Sequence, residues 1–233
     1  MPLLVRCWNV FHGNADPPVR RDYLEEMVRL VTAAADLVCL QEVPVWALRH
    51  LELWSGMRCH GAVAARPRLG SAGVGRWITE LNHGLFRSAF TGQANAILAA
   101  PAHRVERHPT RVVSRSGERR VVQAVHLETG LAVVNFHVTG GEPADEQLRA
   151  VAAFAAEQGE EVILAGDANL RPGEGTAYGL LGELGFSAPL AGSIDQILVR
   201  GLASSPPEAW PEERRRLDGV LLSDHAPVEL TVE

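Results

Sequence analysis

Apolar residues occur along the chain both in short continuous runs and at helical spacing. Runs of about four to eight apolar residues between turn signals predict buried strands. The predicted strands are residues 3–8, 37–41, 94–99, 120–126, 132–137, 161–165, 193–199 and 226–232. Thr129-Gly130, which separates the fourth run from the fifth, predicts a hairpin turn.

Apolar positions three and four residues apart predict three helices, at 17–35, 45–54 and 143–158. Residues 56–92 show little periodicity, and the proline-containing residues 201–219 are predicted to form a solvated loop. Strands interleaved with helices indicate an α/β protein. We favour two mixed sheets packed face to face, with the helices on the outside.

The chain has 233 residues, 46% of them hydrophobic and 21% charged, which allows one large domain or two small ones. No apolar run is long enough to span a bilayer and the N-terminus lacks a secretory pattern, so we expect a cytoplasmic protein. Three cysteines without CxxC spacing argue against a disulfide framework and a structural zinc site. Because the net charge is −6, any contact with nucleic acid must be local.

Polar side chains able to bind a metal or transfer a proton recur where predicted strands end. They are Asn9, Glu42, His137, Asp167 and Asn169, and the pair Asp224-His225 directly before the last strand. Strand ends meet at one edge of a sheet, where side chains are rigidly supported and still reach solvent. The repetition predicts one shared site.

Two patterns within this set have competing interpretations. Glu42 is a hard oxygen ligand beside the amide of Asn9, as magnesium prefers, but it could equally be an exposed acid that caps the next helix. Asp167 and Asn169 can face one side, where Asp167 would orient a water and Asn169 would hold a phosphate oxygen. The alternative is an Asx turn, in which both side chains satisfy backbone groups.

Asp195 interrupts an otherwise apolar predicted strand, and a buried carboxylate is costly unless it is paired. We predict that its partner is His225, because a histidine that moves protons needs its second ring nitrogen held. The remaining histidines have no matching carboxylate in the sequence and are assigned surface or packing roles. They are His12, His50, His60, His83, His103, His108 and His126.

In their order along the chain, these motifs resemble the endonuclease/exonuclease/phosphatase superfamily, also called deoxyribonuclease-I-like. The motifs are Trp8-Asn9, Leu40-Gln41-Glu42, Asn135-Phe136-His137, Gly166-Asp167-Ala168-Asn169, Ile194-Asp195 and Ser223-Asp224-His225, and residues 93–98 are similar to the family's middle strand. The resemblance implies a single domain over residues 1–233, a four-layer αββα sandwich, and Mg²⁺- or Mn²⁺-dependent hydrolysis of a phosphodiester or phosphomonoester.

The same resemblance implies a role for each matching residue. Asn9, Glu42 and Asp224 would bind the metal. Asp167 and His225 would act on the attacking water, with Asp195 orienting His225. Asn169 and His137 would stabilise the pentacoordinate phosphorus. Arg120 or the adjacent Arg119 would contact the phosphate, and Asn95 of the middle strand would bind substrate.

Three functions remain open on the sequence: a phosphodiesterase or nuclease, a phosphomonoesterase acting on a small metabolite or lipid headgroup, and a binding module that lost turnover. The expected partner is a phosphate-ester substrate such as a nucleic acid or nucleotide, without an obligate protein partner. Two loops could offer arginine and tryptophan for stacking on a nucleotide, although a solvated surface is the simpler interpretation. Their residues are Arg66, Arg68, Arg76, Trp77, Trp210 and residues 214–216.

Overall fold

The structure is a computed structural model that describes residues 2–19, 21–66, 91–115 and 117–233. In chain order the strands are β1 (Leu3–Asn9), β2 (Ala15–Asp16), β3 (Leu37–Val43), β4 (Arg58–Ala65), β5 (Gln93–Ala99), β6 (Val105–Arg107), β7 (Thr110–Val112), β8 (Val121–Leu127), β9 (Ala132–His137), β10 (Val162–Asp167), β11 (Asp195–Arg200), β12 (Glu208–Ala209), β13 (Arg216–Leu217), β14 (Val220–Leu222) and β15 (Val228–Val232). The α-helices are α1 (Leu24–Thr32), α2 (Leu51–Ser55), α3 (Ala144–Ala156) and α4 (Ala177–Glu183), and 3₁₀ helices span Phe11–Gly13, Val45–Arg49 and Glu212–Arg215.

Two mixed sheets organise the strands of the described residues. The first has the order β12-β15-β1-β3-β5-β4, and the second has the order β11-β10-β9-β8-β6, with β7 also pairing with β8. Strands β13, β14 and β2 form a small third sheet. The antiparallel pairing of β8 with β9 confirms the hairpin predicted around Thr129-Gly130.

The two large sheets pack face to face through a buried apolar layer. Leu37 and Ile97 of the first sheet belong to the same buried cluster as Val133 and Ile163 of the second. Each such side chain contributes about 1.5–3 kcal/mol by leaving water. Helix α1 and the segment 45–55 cover the outer face of the first sheet, and α3 and α4 cover that of the second. This arrangement confirms the predicted four-layer αββα sandwich.

The strand directions bring many strand ends to one edge of the sandwich. Strand β1 is parallel to β3 and β9 is parallel to β10, so that Asn9 pairs with Gln41 and His137 with Asp167. Strands β11 and β15 run antiparallel to their neighbours and therefore begin at this edge, where Asp195 pairs with Asp167. The fold thus gathers the polar strand ends at the edge that the sequence predicted.

The helix predicted over 17–35 is wrong in its N-terminal part. Its apolar positions do face the first sheet, but α1 begins only at Leu24. The preceding segment contains two adjacent prolines, which lack a backbone donor, and Asp22 Oδ1 accepts the Leu24 N–H at 2.9 Å where the helix starts. The helix predicted over 45–54 is divided into the 3₁₀ helix Val45–Arg49 and α2. Within the described ranges, no helix is long and apolar enough to cross a membrane.

The loop predicted over 201–219 is wrong as well, because this segment packs against the first sheet. Trp210 is only 4% exposed, and its ring lies 5.1 Å from the Arg6 guanidinium and 3.7 Å from that of Arg214. Arg215 is also buried and donates to the Ser223 carbonyl at 2.7 Å. Strand β4 and helix α4 are further elements that the apolar pattern did not predict.

Candidate active site

Asp167, Asp195 and His225 form a linked group at the shared edge. His225 Nδ1 lies 2.9 Å from Asp195 Oδ2, and His225 Nε2 lies 3.9 Å from Asp167 Oδ2. Both carboxylates are buried. The predicted pairing of Asp195 with His225 is therefore present, and it gives a counter-charge to a carboxylate that would be costly to bury alone.

Asp167 is held by hydrogen bonds to both carboxylate oxygens. Its Oδ1 accepts the Asn169 backbone N–H at 2.8 Å, and its Oδ2 accepts Asn9 Nδ2–H at 2.9 Å. The first contact is the Asx turn considered as the alternative, while the second turns Asp167 toward the other strand ends, so the two interpretations are compatible. Burial, and then the charge of Asp195, raises the pKa of Asp167 to about 7. A carboxylate with this pKa is suited to accept a proton at neutral pH.

His225 has the opposite electrostatic setting. Burial by itself would lower the pKa of His225, but the hydrogen bond and charge of Asp195, followed by the charge of Asp167, outweigh burial and raise it to about 10. The backbone of His225 is also held in place. Ser223 Oγ accepts the His225 backbone N–H at 3.1 Å and donates to the Asn9 carbonyl at 2.8 Å. His225 is therefore an imidazolium at neutral pH, fixed in the site.

Glu42 is connected to Asp167 through His137. His137 Nε2 lies 3.4 Å from Asp167 Oδ2 and 3.9 Å from Glu42 Oε1. His12 Nε2 lies 3.4 Å from the other Glu42 oxygen. Glu42 has a φ of 53°, in the left-handed region that non-glycine residues occupy at a cost of about 1–3 kcal/mol and mostly at functional positions. It does not cap the following helix, whose N-cap is Pro44 without a side-chain hydrogen bond.

Arg120 lies in the site, whereas Arg119 points away from it. Arg120 Nη1 is 3.0 Å from Gln93 Oε1 and 2.9 Å from His137 Nδ1, and its Nη2 is 2.9 Å from Glu118 Oε2. Arg119 instead donates to two backbone carbonyls of β4. Burial, and then the Arg120 charge, lowers the pKa of His137 well below its ordinary value. His137 is therefore neutral.

A polar layer between the sheets supports the site from below. Gln41 Nε2 donates to Asn135 Oδ1 at 2.7 Å, and Asn135 Nδ2 donates to the carbonyls of Leu40 and Ala96 at 3.0 and 2.9 Å. Both amide side chains are fully buried. Because the bonds of Asn135 join one sheet to the other, this layer fixes the register in which the strand ends face each other.

The donors around Glu42 fit a hard divalent cation. Glu42 opens on a cleft of about 180 Å³ that is also lined by Phe11, His12, Asn14, Gln93, Glu118 and Arg120. Burial, together with the charges of Glu42 and Asp16, raises the pKa of Asp224, although His225 opposes this rise. A cation shared by Glu42 and Asp224 would reduce the repulsion between their two carboxylates, and carboxylate oxygens are the ligands that magnesium prefers.

A second acidic and histidine cluster is formed by Asp167, Asp195 and His225, whose ligand atoms lie within 4.8 Å of one another. Hydrogen bonds already occupy these atoms. His225 Nδ1 faces Asp195 at 2.9 Å, and both oxygens of Asp167 accept hydrogen bonds. This cluster is therefore better suited to proton transfer than to metal binding.

The structure brings most of the sequence-selected residues together, with exceptions. Asn95 Nδ2 donates to the Val121 carbonyl at 2.9 Å and so bridges the sheets. The stacking surface proposed for Trp210 and Arg215 is wrong, because both side chains are buried. Arg68, Arg76, Trp77 and His83 lie outside the described residues.

Three residues of the cleft were missed by the sequence reasoning. His12 was assigned to packing but approaches Glu42, and Gln93 and Glu118 both contact Arg120. Gln93 begins a strand at the same edge, so a search for polar residues at strand ends could have found it.

His103, which the sequence assigned to a surface or packing role, also has a carboxylate partner, since its Nε2 lies 3.1 Å from Asp36 Oδ1.

Comparisons with known proteins agree with this geometry. A profile of the Endonuclease/Exonuclease/phosphatase family matches residues 7–228. No curated protein sequence matches the chain significantly.

Similar folds among solved structures include a functionally unknown conserved protein from Enterococcus faecalis V583, with a TM-score of 0.74, 17% identity and 99% of both chains covered. A mannosyl-6-phosphatase from Bacteroides thetaiotaomicron VPI-5482 has a TM-score of 0.69 and 15% identity, also over 99% of both chains. Truncated TDP2 from Caenorhabditis elegans has a TM-score of 0.64 and 18% identity, over 100% of this chain and 98% of that one. At these identities the likeness is one of fold. The profile match covers nearly the whole chain, and the protein therefore belongs to the endonuclease/exonuclease/phosphatase family.

Proposed function

We propose that this protein, acting as a single domain, hydrolyses a phosphodiester in the manner of a nuclease or phosphodiesterase, with Mg²⁺ or Mn²⁺ as its cofactor. The observation that carries the proposal is that Glu42, Asp167 and His225 meet at one site although they are far apart in the chain. They are joined there by contacts of 3.4 to 3.9 Å, two of which pass through His137. Family membership supports hydrolysis of a phosphoester as the reaction class.

Glu42 and Asp224, assisted by the amide oxygen of Asn9, would hold the metal ion. When bound, the ion neutralises charge on the phosphoryl oxygens and polarises the phosphorus centre. Asn9 serves two purposes in this arrangement, since its Nδ2 already orients Asp167 at 2.9 Å.

Asp167 acts as the general base. As the oxygen of a water forms its bond to phosphorus, the water's proton passes to the Asp167 carboxylate and the bond to the leaving oxygen breaks. Solvent then protonates the leaving oxygen. The raised pKa of Asp167, about 7, makes it a stronger base than an ordinary aspartate.

His225 and the residues on its opposite side stabilise the pentacoordinate centre. The His225 imidazolium, held by Asp195, offsets the negative charge that develops on phosphorus. His137 and Asn169, whose Nε2 and Nδ2 lie 3.2 Å apart, form the other side of the site. Their N–H groups would donate to the phosphoryl oxygens.

Without the metal ion, the lining of the cleft repels a monoester more strongly than a diester. The Arg120 guanidinium is already paired with Glu118 at 2.9 Å, and Glu42 adds a further negative charge to the lining. A monoester phosphate carries close to two negative charges at neutral pH and a diester carries one, and a bound divalent cation would reduce the repulsion of both. The phosphomonoesterase remains the second candidate.

The test is a hydrolysis screen with matched diesters and monoesters, including DNA, RNA, nucleotides and sugar phosphates, with Mg²⁺ or Mn²⁺ and with chelator. We expect metal-dependent turnover of diesters, and Glu42→Gln should weaken Mg²⁺ binding in calorimetry. Asp167→Asn and His225→Ala should each lose about 10²-fold or more of the rate. Asp36→Asn and His103→Ala alter a comparable Asp–His pair at the opposite edge and should retain the wild-type rate.

Each outcome of these experiments distinguishes between the candidate functions or tests the assigned mechanism. Retained activity in both Asp167→Asn and His225→Ala would reject the assigned mechanism. Turnover restricted to monoesters would replace the diesterase by the phosphomonoesterase. A protein that neither binds Mg²⁺ nor turns over any ester would match the binding module.

A further inference from the structure

Arg215 places a positive charge against the backbone of the turn that carries Asp224 and His225. Its side chain comes from the last of the 3₁₀ helices, and the residue is only 8% exposed. A single nitrogen, Nη1, donates to three carbonyls of the turn, those of Ser223 at 2.7 Å, Leu222 at 3.1 Å and His225 at 3.2 Å. Three carbonyl oxygens that converge on one point repel each other unless a positive group lies between them. The conformation of this turn, residues 222–225, therefore depends on the guanidinium.

The backbone of the 222–225 turn also needs to be held in place. Ser223 has a φ of 60°, in the left-handed region that favours glycine, and such a conformation persists where surrounding contacts fix it. The Ser223 N–H donates to the Asn14 carbonyl at 2.9 Å, and Trp8 Nε1 donates to the His225 carbonyl at 2.9 Å. These two donors are neutral, whereas Arg215 is charged, and hydrogen bonds from charged donors are the stronger ones.

The 222–225 turn directs two side chains into the candidate site. Arg215 holds the carbonyls of the residues on both sides of Asp224. The ring of His225 reaches Asp195 at 2.9 Å and lies 3.9 Å from Asp167 Oδ2. Arg215 itself does not belong to the lining of the cleft beside Glu42. Its effect on the site must therefore pass through the backbone of the turn.

We propose that Arg215 is a positioning residue: its guanidinium holds the 222–225 turn in the conformation that directs Asp224 and His225 together into the site. The use of these two side chains in phosphoester hydrolysis rests on the proposed function. Without the guanidinium, the three carbonyls would separate and turn toward other donors, and both side chains would lose their common orientation. A displacement of about 1 Å at a reacting group can lower a rate about a hundredfold.

The first test observes Arg215 in the wild type, by NMR of the protein labelled with ¹⁵N in its arginine side chains. Arg215→Lys identifies the Arg215 signals by their disappearance. A guanidinium whose Nη1 donates to three carbonyls cannot rotate freely, so we expect separate, slowly exchanging signals for Nη1 and Nη2. A freely rotating Arg215 guanidinium would overturn the inference, and this measurement requires no turnover.

The second test removes the guanidinium. At saturating Mg²⁺ and well below the melting temperature, Arg215→Met should lower kcat about tenfold to hundredfold, with KM changed by less than about twofold. In the same variant, hydrogen exchange of the Ser223 and His225 amides should accelerate about tenfold or more through local opening. A folded Arg215→Met protein with unchanged kcat, or with unchanged exchange at these amides, would contradict the inference.

Two controls separate positioning from a general loss of stability. Trp210→Ala removes a buried side chain of the same segment and should destabilise the protein while kcat is retained. Arg216→Met removes the adjacent, exposed arginine, which pairs with Glu212 at 2.7 Å, and should change neither kcat nor the exchange of the Ser223 amide. If kcat falls equally in Trp210→Ala and Arg215→Met, the role of Arg215 is structural only and the inference fails.

The conservative variant provides the last comparison. Because one nitrogen of Arg215 contacts all three carbonyls, the single ammonium of Arg215→Lys should restore most of the kcat that Arg215→Met loses. A lysine variant as impaired as the methionine variant would contradict the role of a cation at this point. If the wild type hydrolyses no ester, the proposed function fails, whereas the NMR and hydrogen-exchange results still decide whether Arg215 holds the turn.

Discussion

Replacing Asp195 by asparagine removes the buried negative charge beside His225 and nearly preserves the shape of the side chain. A His225 pKa of about 10, against an ordinary value of 6.5, corresponds to about 5 kcal/mol of favourable interaction. Two opposite charges about 3 Å apart at an effective dielectric constant of about 20 give the same order of magnitude. The substitution also removes the repulsion between Asp195 and Asp167. We therefore expect a net loss of about 3 kcal/mol in the free energy of unfolding at about pH 6.

This loss should depend on pH in a defined direction. Because the pKa of His225 is higher in the folded than in the unfolded protein, the stabilisation is complete below about pH 6.5 and disappears as the pH rises through about 10. Urea unfolding of the metal-free wild type and Asp195→Asn across this range measures the difference, and NMR titration of His225 measures the pKa itself. Asp36→Asn, at the more exposed pair with His103, should cost less. A wild-type His225 that titrates near 6.5, or a stability difference independent of pH, would refute the reasoning.

Three further substitutions, one of them with a matched control, test separate parts of the structure. Asp167→Asn should lower the hydrolysis rate about 10²- to 10⁴-fold, because it removes the proposed base. The melting temperature should not fall, because the substitution removes a buried charge next to Asp195. An unchanged rate would contradict the proposed role of Asp167. Gly166→Ala should lower the free energy of unfolding by about 3 kcal/mol in chemical denaturation, because the new Cβ would overlap the Phe136 carbonyl oxygen of β9. In the control Gly179→Ala, in α4, the new Cβ meets no atom within 4 Å, so the free energy of unfolding should stay the same or rise slightly. Trp210→Ala should cost about 3 kcal/mol of stability at an unchanged kcat, and a lower kcat in a fully stable variant would restore the idea of a stacking surface.

The positions of the strand ends could be predicted from the sequence because they depend on local properties. A buried strand needs a short apolar run, and a polar residue that follows the run marks where the strand ends. Asn9, His137 and Asp167 satisfy this rule, and their strands end at these residues. The pairing of Asp195 with His225 was also predictable, since a carboxylate in an apolar strand requires a partner.

What the sequence could not provide is the way in which the two sheets face each other and the backbone geometry between strands. His12 Nε2 lies 3.4 Å from Glu42 Oε2, and both residues adopt left-handed conformations, with φ of 54° and 53°, that neither residue type predicts. Likewise, Arg120 reaches His137 and Gln93 at once because β8 and β9 lie in one sheet and β5 lies in the other. A strand's own pattern tells which residues leave the core but not which side chains they meet. The proposed metal ligands and the proposed general base could therefore be selected from the sequence, whereas His12, Gln93 and Glu118, which line the cleft beside them, required the packed sandwich.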